Sequence, residues 1–246
     1  MEFEKVRNAF NVRGKENDFQ EYEEMYGKLI ERIEDSCEVY QGEKIGEYRR
    51  IKQYSLTYRQ VLLHRAILLF EGSLNALAEN NPYSMTISIR GHFETTASLG
   101  YLHHRLSSLR NGTIEAEVVD KDMCAQLIGS RDKALDKAPE AKQVQSMLEC
   151  ADRTVSKNVF GGTARQYDIL SNNYGYLCEF AHPNFHSNSI AIELDKSVPA
   201  FKFRHGKPMR DREFELISYL LQSATIFLEL FDSLVELLPK QEGSNN

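Results

Sequence analysis

Residues 80–112 read NNPYSMTISIRGHFETTASLGYLHHRLSSLRNG, and this stretch decides the fold. Asn81 offers a helix cap, and Pro82 follows at the first helical position, where its missing N–H costs nothing. At the far end Asn111-Gly112 supplies a residue free to take the left-handed conformation that closes helices. No proline interrupts the run between, which is long enough for about eight helical turns. From Thr86 to Leu102 the only formal charges are Arg90 and Glu94, with His92 between them. A helix so poor in charge is expected to be buried on most sides, with an arginine and a carboxylate one turn apart in the interior. Charges in such a place must be paired and hydrogen-bonded. The small residues Ala97, Ser98 and Gly100 would let another helix or a substrate approach closely.

Helical patterns extend on both sides. Residues 1–50 hold thirteen acidic and nine basic residues, with apolar and aromatic positions recurring at Tyr22, Met25, Tyr26, Leu29 and Ile33. That pattern predicts an amphipathic N-terminal helical segment over 1–42 with a solvated outer face. A second helix is expected from about 45 to 79, and polar helices near 114–134 and 140–157, the latter with Pro139 at its start. Asn158 to Thr163 reads as a junction. A further helix runs from about 164 to 181 and ends at His182-Pro183-Asn184. Ile190, Ile192 and Leu194 then alternate, as do Phe201 and Phe203, so a β hairpin is expected at about 189–204. The last helix, about 210 to 238, is apolar around much of its girth, and 239–246 reads as a disordered tail. The expectation is an all-α bundle of about six to seven helices with one small hairpin, the bundle domain spanning 43–238.

The 246 residues are 41% hydrophobic and 27% charged, which excludes disorder throughout. Only 6 Pro and 14 Gly are present, too few for a turn-rich β sandwich. A net charge of −6 argues against a surface built wholly for nucleic acid and leaves room for a local basic site. Cys37, Cys124, Cys150 and Cys178 are scattered without a C-x-x-C pair, so neither a zinc ribbon nor a disulfide framework is expected. The N-terminus MEFEKVRNAF has no apolar stretch for a signal peptide, and the uncharged run Leu216–Leu228 falls short of a membrane span. A cytoplasmic protein without a membrane segment is the expectation.

Three constellations could carry chemistry. Arg90 and Glu94 form the first, either as a pair that ties the helix to its neighbours or as a ligand-facing pair, with Tyr101 further along the same helix. The second is YGYLCEFAHPNFHSN, residues 174–188, where Pro183 leaves His182 at a helix C-terminus. The helix dipole there favours positive charge, and an imidazole can act as general acid or base or donate to free carbonyls as a cap. Asn184 and His186 stand beside it. Because Pro183 separates the two histidines, their spacing is not that of a zinc-binding H-E-x-x-H helix, and no metal is expected. The third is KFRHGKPMRDR, residues 202–212, whose Arg204, His205, Lys207 and Arg210 are candidates for phosphate contact on an otherwise acidic chain. Phosphate-loop, dinucleotide and serine-hydrolase motifs are absent, and no cofactor is expected.

SIRGHFETTASLGYL (88–102), followed by YDILSNNYGYLCEFAHPNF (167–185), resembles an uncharacterised family of bacterial helical-bundle proteins over roughly residues 55–235. That family is in turn similar to the HEPN superfamily, which includes toxin and antiviral ribonucleases. Active HEPN ribonucleases carry an arginine, a polar residue, a few more positions and then a histidine near the start of a late helix. Here His182 has no arginine four to six residues before it. Arg59 and His64 fit the spacing in an early helix, but five residues along a continuous helix turn the two side chains about 140° apart. The acidity of the chain and the absence of an intact motif favour a non-catalytic HEPN-like binding or interaction module of a bacterial defence or toxin–antitoxin-type system. The alternative, which the resemblance implies together with the basic loop, is a metal-independent ribonuclease in which His182 moves protons and Arg90 stabilises the phosphorane. A homodimer joined through exposed apolar helix surface is expected, with RNA, a nucleotide or another protein as ligand.

Overall fold

A computed structural model of the protein describes residues 3–37, 46–132, 134, 138–161, 167–195 and 197–239. Helices dominate: α1 (Phe3–Asn11), α2 (Glu16–Ile30), α3 (Glu47–Ala78), α4 (Pro82–Arg110), α5 (Ala116–Ile128), α6 (Val144–Asn158), α7 (Ile169–Ala181) and α8 (Phe185–Ala191). The two strands β1 (Ile192–Asp195) and β2 (Ala200–Phe203) follow, and α9 (Asp211–Leu237) closes the order, with 3-10 turns at Glu215–Ile217 and Val235–Leu237. The fold is thus an all-α bundle with one antiparallel hairpin. Residues 240–246 of the expected tail and 162–163 of the expected junction lie outside the described residues.

Three helix ends share one device. At Gly14, Asn80 and Gly112 the chain turns left-handed, with φ of 68°, 58° and 67°. In each case the next amide reaches back five residues: Lys15 to Phe10, Asn81 to Ala76, and Thr113 to Ser108. These paired bonds satisfy carbonyls that a helix end otherwise strands. Asn80 is the only non-glycine to do so among the described residues. The Asn81 side chain accepts from the Ser84 amide at 3.0 Å, so cap and proline act as the sequence predicts.

Gly14 also corrects the N-terminal reading, since it splits the expected single amphipathic helix into α1 and α2, and Ile33 lies past the end of α2. Other boundaries move too. Helix α5 stops at Ile128, because Gly129 is extended, and α6 starts only at Val144, because Glu140 joins a short bridge to Ser130. The hairpin is shorter than expected: Ser189, Ile190 and Ala191 belong to α8, and strand begins at Ile192. Asn184 caps α8 by accepting from the Ser187 amide, and Ile190 is that helix's buried anchor at 5% exposure. A three-member alternation was too short to distinguish this from strand.

The chain divides into two compact units. The first unit comprises residues 1–31, 66–93 and 172–225. Its core is aromatic: Phe10 packs on Phe19, Tyr22 and Phe214 with ring centres 5.1–5.8 Å apart. His92 is fully buried there, its Nδ1 2.8 Å from the Ser223 hydroxyl. The second unit comprises residues 32–65, 94–171 and 226–246. Within it α4 and α6 meet so closely at Gly100 that a Cβ there would fall 2.5 Å from that of Ala151. The small-residue reading of this helix is explained by that approach. Asp152, fully buried on α6, accepts from the Leu170 and Ser171 amides at 2.8 and 3.1 Å and so caps α7. Burial holds its carboxyl above the usual carboxylate range despite these bonds.

Helices α3 and α9 each contain a window long and apolar enough to cross a membrane, with 50% and 61% of it buried inside the protein. Core helices show the same composition and burial.

Candidate functional site

The basic loop folds around a carboxylate. Glu213, 1% exposed, sits in the first turn of α9 and accepts from the Arg210 amide at 2.8 Å and from Arg210 Nε at 2.6 Å. Arg204 Nη1 lies 3.5 Å from both Glu213 oxygens, and its Nη2 donates to the Pro208 carbonyl at 2.7 Å. Arg210 and Arg212 also reach the Ser189 carbonyl, at 2.5 and 3.3 Å. Lys207 pairs with Glu193 of β1 at 2.6 Å. Four cations of this loop therefore serve as ties within the first unit, fastening the hairpin and the start of α9 to the end of α8.

Beside this knot lies a cleft of about 620 Å³. Asn80, Tyr83, Phe203, His205, Lys207 and Met209 line it. Asn80 forms its latch: Nδ2 donates to the Lys207 carbonyl at 2.9 Å, and Oδ1 accepts from the Met209 amide at 2.6 Å. The Tyr83 hydroxyl donates to the Ser187 carbonyl at 2.9 Å and so holds α8 to the front of α4.

The α7–α8 junction gathers three more of the expected residues. His182 is exposed just beyond α7, its amide bonded to the Cys178 carbonyl at 3.0 Å. Asn184 turns its amide group to Glu179 Oε2 at 2.8 Å. The His186 ring is half-buried among Phe180, Phe185 and Tyr176, with ring centres 5.3, 5.6 and 6.1 Å away. Arg90, also in this unit, is half-buried with its guanidinium 5.5 Å from the centre of the Tyr174 ring on α7.

The remaining two candidates belong to the second unit. Glu94 stands 4.0 Å from Arg65. Tyr101, 3% exposed, donates to Asp122 at 3.1 Å and accepts from Arg105 Nε at 2.9 Å. Asp122, 9% exposed at its side chain, also pairs with Arg105 at 2.9 Å and Lys142 at 2.5 Å. Tyr101 is thus part of a buried ion-pair hub and does not line the cleft. Arg59 and His64 both lie within unbroken α3: Arg59 is buried, donates to the Phe231 carbonyl at 3.0 Å and covers the Phe231 ring, while His64 is exposed.

Sequence reasoning missed Glu213, Asn80 and Tyr83. The available signals were a glutamate one residue past the basic run and an asparagine at a helix stop. Among the described residues no group of three or more His, Cys, Asp or Glu side chains is arranged to hold a metal ion. The four cysteines are free thiols, each partly exposed.

Comparison of the chain with protein-family models, with curated proteins and with solved structures returns no match.

Proposed function

We propose that the protein is a non-catalytic, HEPN-like helical interaction module of a bacterial defence or toxin–antitoxin system, working in the cytoplasm through the hairpin end of its first unit. One contrast carries this reading. Arg204, Lys207 and Arg210, which the sequence nominates for phosphate, are occupied by the protein's own carboxylates, whereas the hairpin presents large apolar side chains to solvent. Exposed apolar surface of that kind marks contact sites. The test is incubation of the purified protein with RNA and with nucleotides, in EDTA and in magnesium. Intact substrates are expected in both, and cleavage that His182→Ala abolishes would overturn the reading.

A metal-independent ribonuclease is the second reading, favoured by the approach of Arg90 to α7, the helix that His182 directly follows. There His182 would exchange a proton with a ribose hydroxyl, and Arg90, with His205 and Lys207 at the cleft, would hold the phosphate. Under this reading cleavage persists in EDTA. His182→Ala abolishes it while shifting stability by less than about 0.5 kcal/mol, as befits an exposed side chain.

A further inference from the structure

The hairpin register sorts its side chains by chemistry. Ile192 faces Phe203 and Leu194 faces Phe201, while Glu193 faces Lys202 and Asp195 faces Ala200. Directly opposed residues share a face of an antiparallel pair, and neighbours along a strand alternate. Among the described strand residues one face is therefore wholly apolar and the other carries every charge. The charges are settled within the hairpin and its loop, Lys202 on Asp195 at 2.8 Å and Lys207 on Glu193 at 2.6 Å. The apolar face is not settled: Phe203 is 80% exposed, Phe201 and Leu194 each 65%, and Val198 at the turn 51%. Phe185, at the start of the helix that runs directly into β1, is 79% exposed.

An isolated two-stranded hairpin is marginally stable in water, and a hydrophobic face on it needs a cover. We infer that the cover is a second copy of this chain, the two hairpins packing face to face about a two-fold axis. This rests on the reading of the hairpin as a contact surface and names its occupant. Two observations select the second copy. In the inferred pair Val198 and Phe185 join the strand residues Leu194, Phe201 and Phe203, and with large aromatic side chains presenting about 150–250 Å² each the five expose about 600 Å² per copy. A pair therefore removes about 1,200 Å² from water, the lower bound of stable interfaces. The described strand residues of this face also carry no charge, so pairing them with themselves about a two-fold axis, where residue i meets j and j meets i, brings no like charges among them together. A partner of different chemistry would find no charged group among the described strand residues of this face to recognise.

The full chain should scatter light as a dimer, twice 28.3 kDa, across 1–100 µM. Phe201→Glu and Phe203→Glu should each give a monomer with an unchanged helical circular dichroism spectrum. Val12→Glu, placed on another exposed apolar residue (79% exposed), should remain dimeric. A parent chain that is monomeric at 100 µM, or a dimer that survives both phenylalanine changes, overturns the inference. Should the glutamate variants not fold, maleimide labelling of Leu194→Cys replaces them, corrected for the parent's own thiols. Labelling at least tenfold slower than that of Val12→Cys at 100 µM is expected, and equal rates overturn the inference. A monomer that leaves RNA intact removes the second copy and spares the interaction module, whereas RNA cleavage by a dimer removes the module and spares the pairing.

Discussion

Glu213 in the first unit and Asp122 in the second are the same device built in two ways. Each is a nearly inaccessible carboxylate ringed by cations, 1% and 9% exposed at the side chain. Around Glu213 the cations are Arg204, Arg210 and Arg212, all within nine residues, and Arg204 is itself only 8% exposed. Around Asp122 they are Arg105 and Lys142, drawn from distant positions and still 26% and 32% exposed. The difference lies in where the charge goes if the carboxylate is lost. Water can reach the cations of Asp122, whereas buried Arg204 would be left with only the more exposed Glu193, 3.8 Å away, as counter-charge. A dense basic run is thus no sign of an anion site when a single glutamate stands at its end.

Glu213→Ala tests this most severely. Removing one partner of a buried pair costs about 3–5 kcal/mol, and a urea melt should show a loss of that size. Asp122→Ala should cost about 2 kcal/mol, because the Tyr101 hydroxyl loses its acceptor while Arg105 and Lys142 are hydrated in place. Equal losses in the two variants would erase the distinction.

A smaller effect, dependent on pH, is present in both units. Each contains a histidine held neutral by burial, His92 down to about 3 in the first and His103 down to about 4 in the second, where His104 adds a lesser effect. Unfolded histidine titrates near 6.5, so as pH falls below that value the unfolded chain takes up protons that the folded one refuses. Stability is therefore full above about pH 6.5 and declines toward the folded values, by about 1.4 kcal/mol per pH unit for each histidine. His92→Gln should remove its own share of this slope, beside those of His103 and His104, from melts recorded between pH 6.5 and 5, and an unaltered slope would show that His92 is protonated in the fold.

Local signals in the sequence were legible and distant ones were not. Asn81-Pro82 and Asn111-Gly112 give the bounds of α4, because capping and left-handed turns depend on residues two or three apart. His182, Asn184 and His186 were recognisable as one constellation for the same reason. The break at Gly14 and the helix α8 were missed, although a glycine and an asparagine cap announced them, since amphipathic and alternating periods ran on through both. Within the basic run, Arg204 and Arg210 resemble phosphate ligands because their counter-charge, Glu213, stands one residue beyond its end. Tyr101 could not be assigned from sequence: Arg105 stands one turn along the same helix, but Asp122 of α5, the acceptor at the centre of the hub, meets it only once the helices have packed.

The Asn80 latch has a consequence in time. Its bonds to Lys207 and Met209 join residues 127 and 129 positions apart, and closing a loop of that length carries an entropic cost that local turns escape. Helix α3, with its left-handed stop at Asn80, can form early and by itself, whereas the grip on the loop must wait for the chain to return. The cleft is accordingly a late product of folding and the first place to reopen. Hydrogen exchange at the Met209 amide, which the latch alone protects, should run ahead of that at the Leu228 amide inside α9.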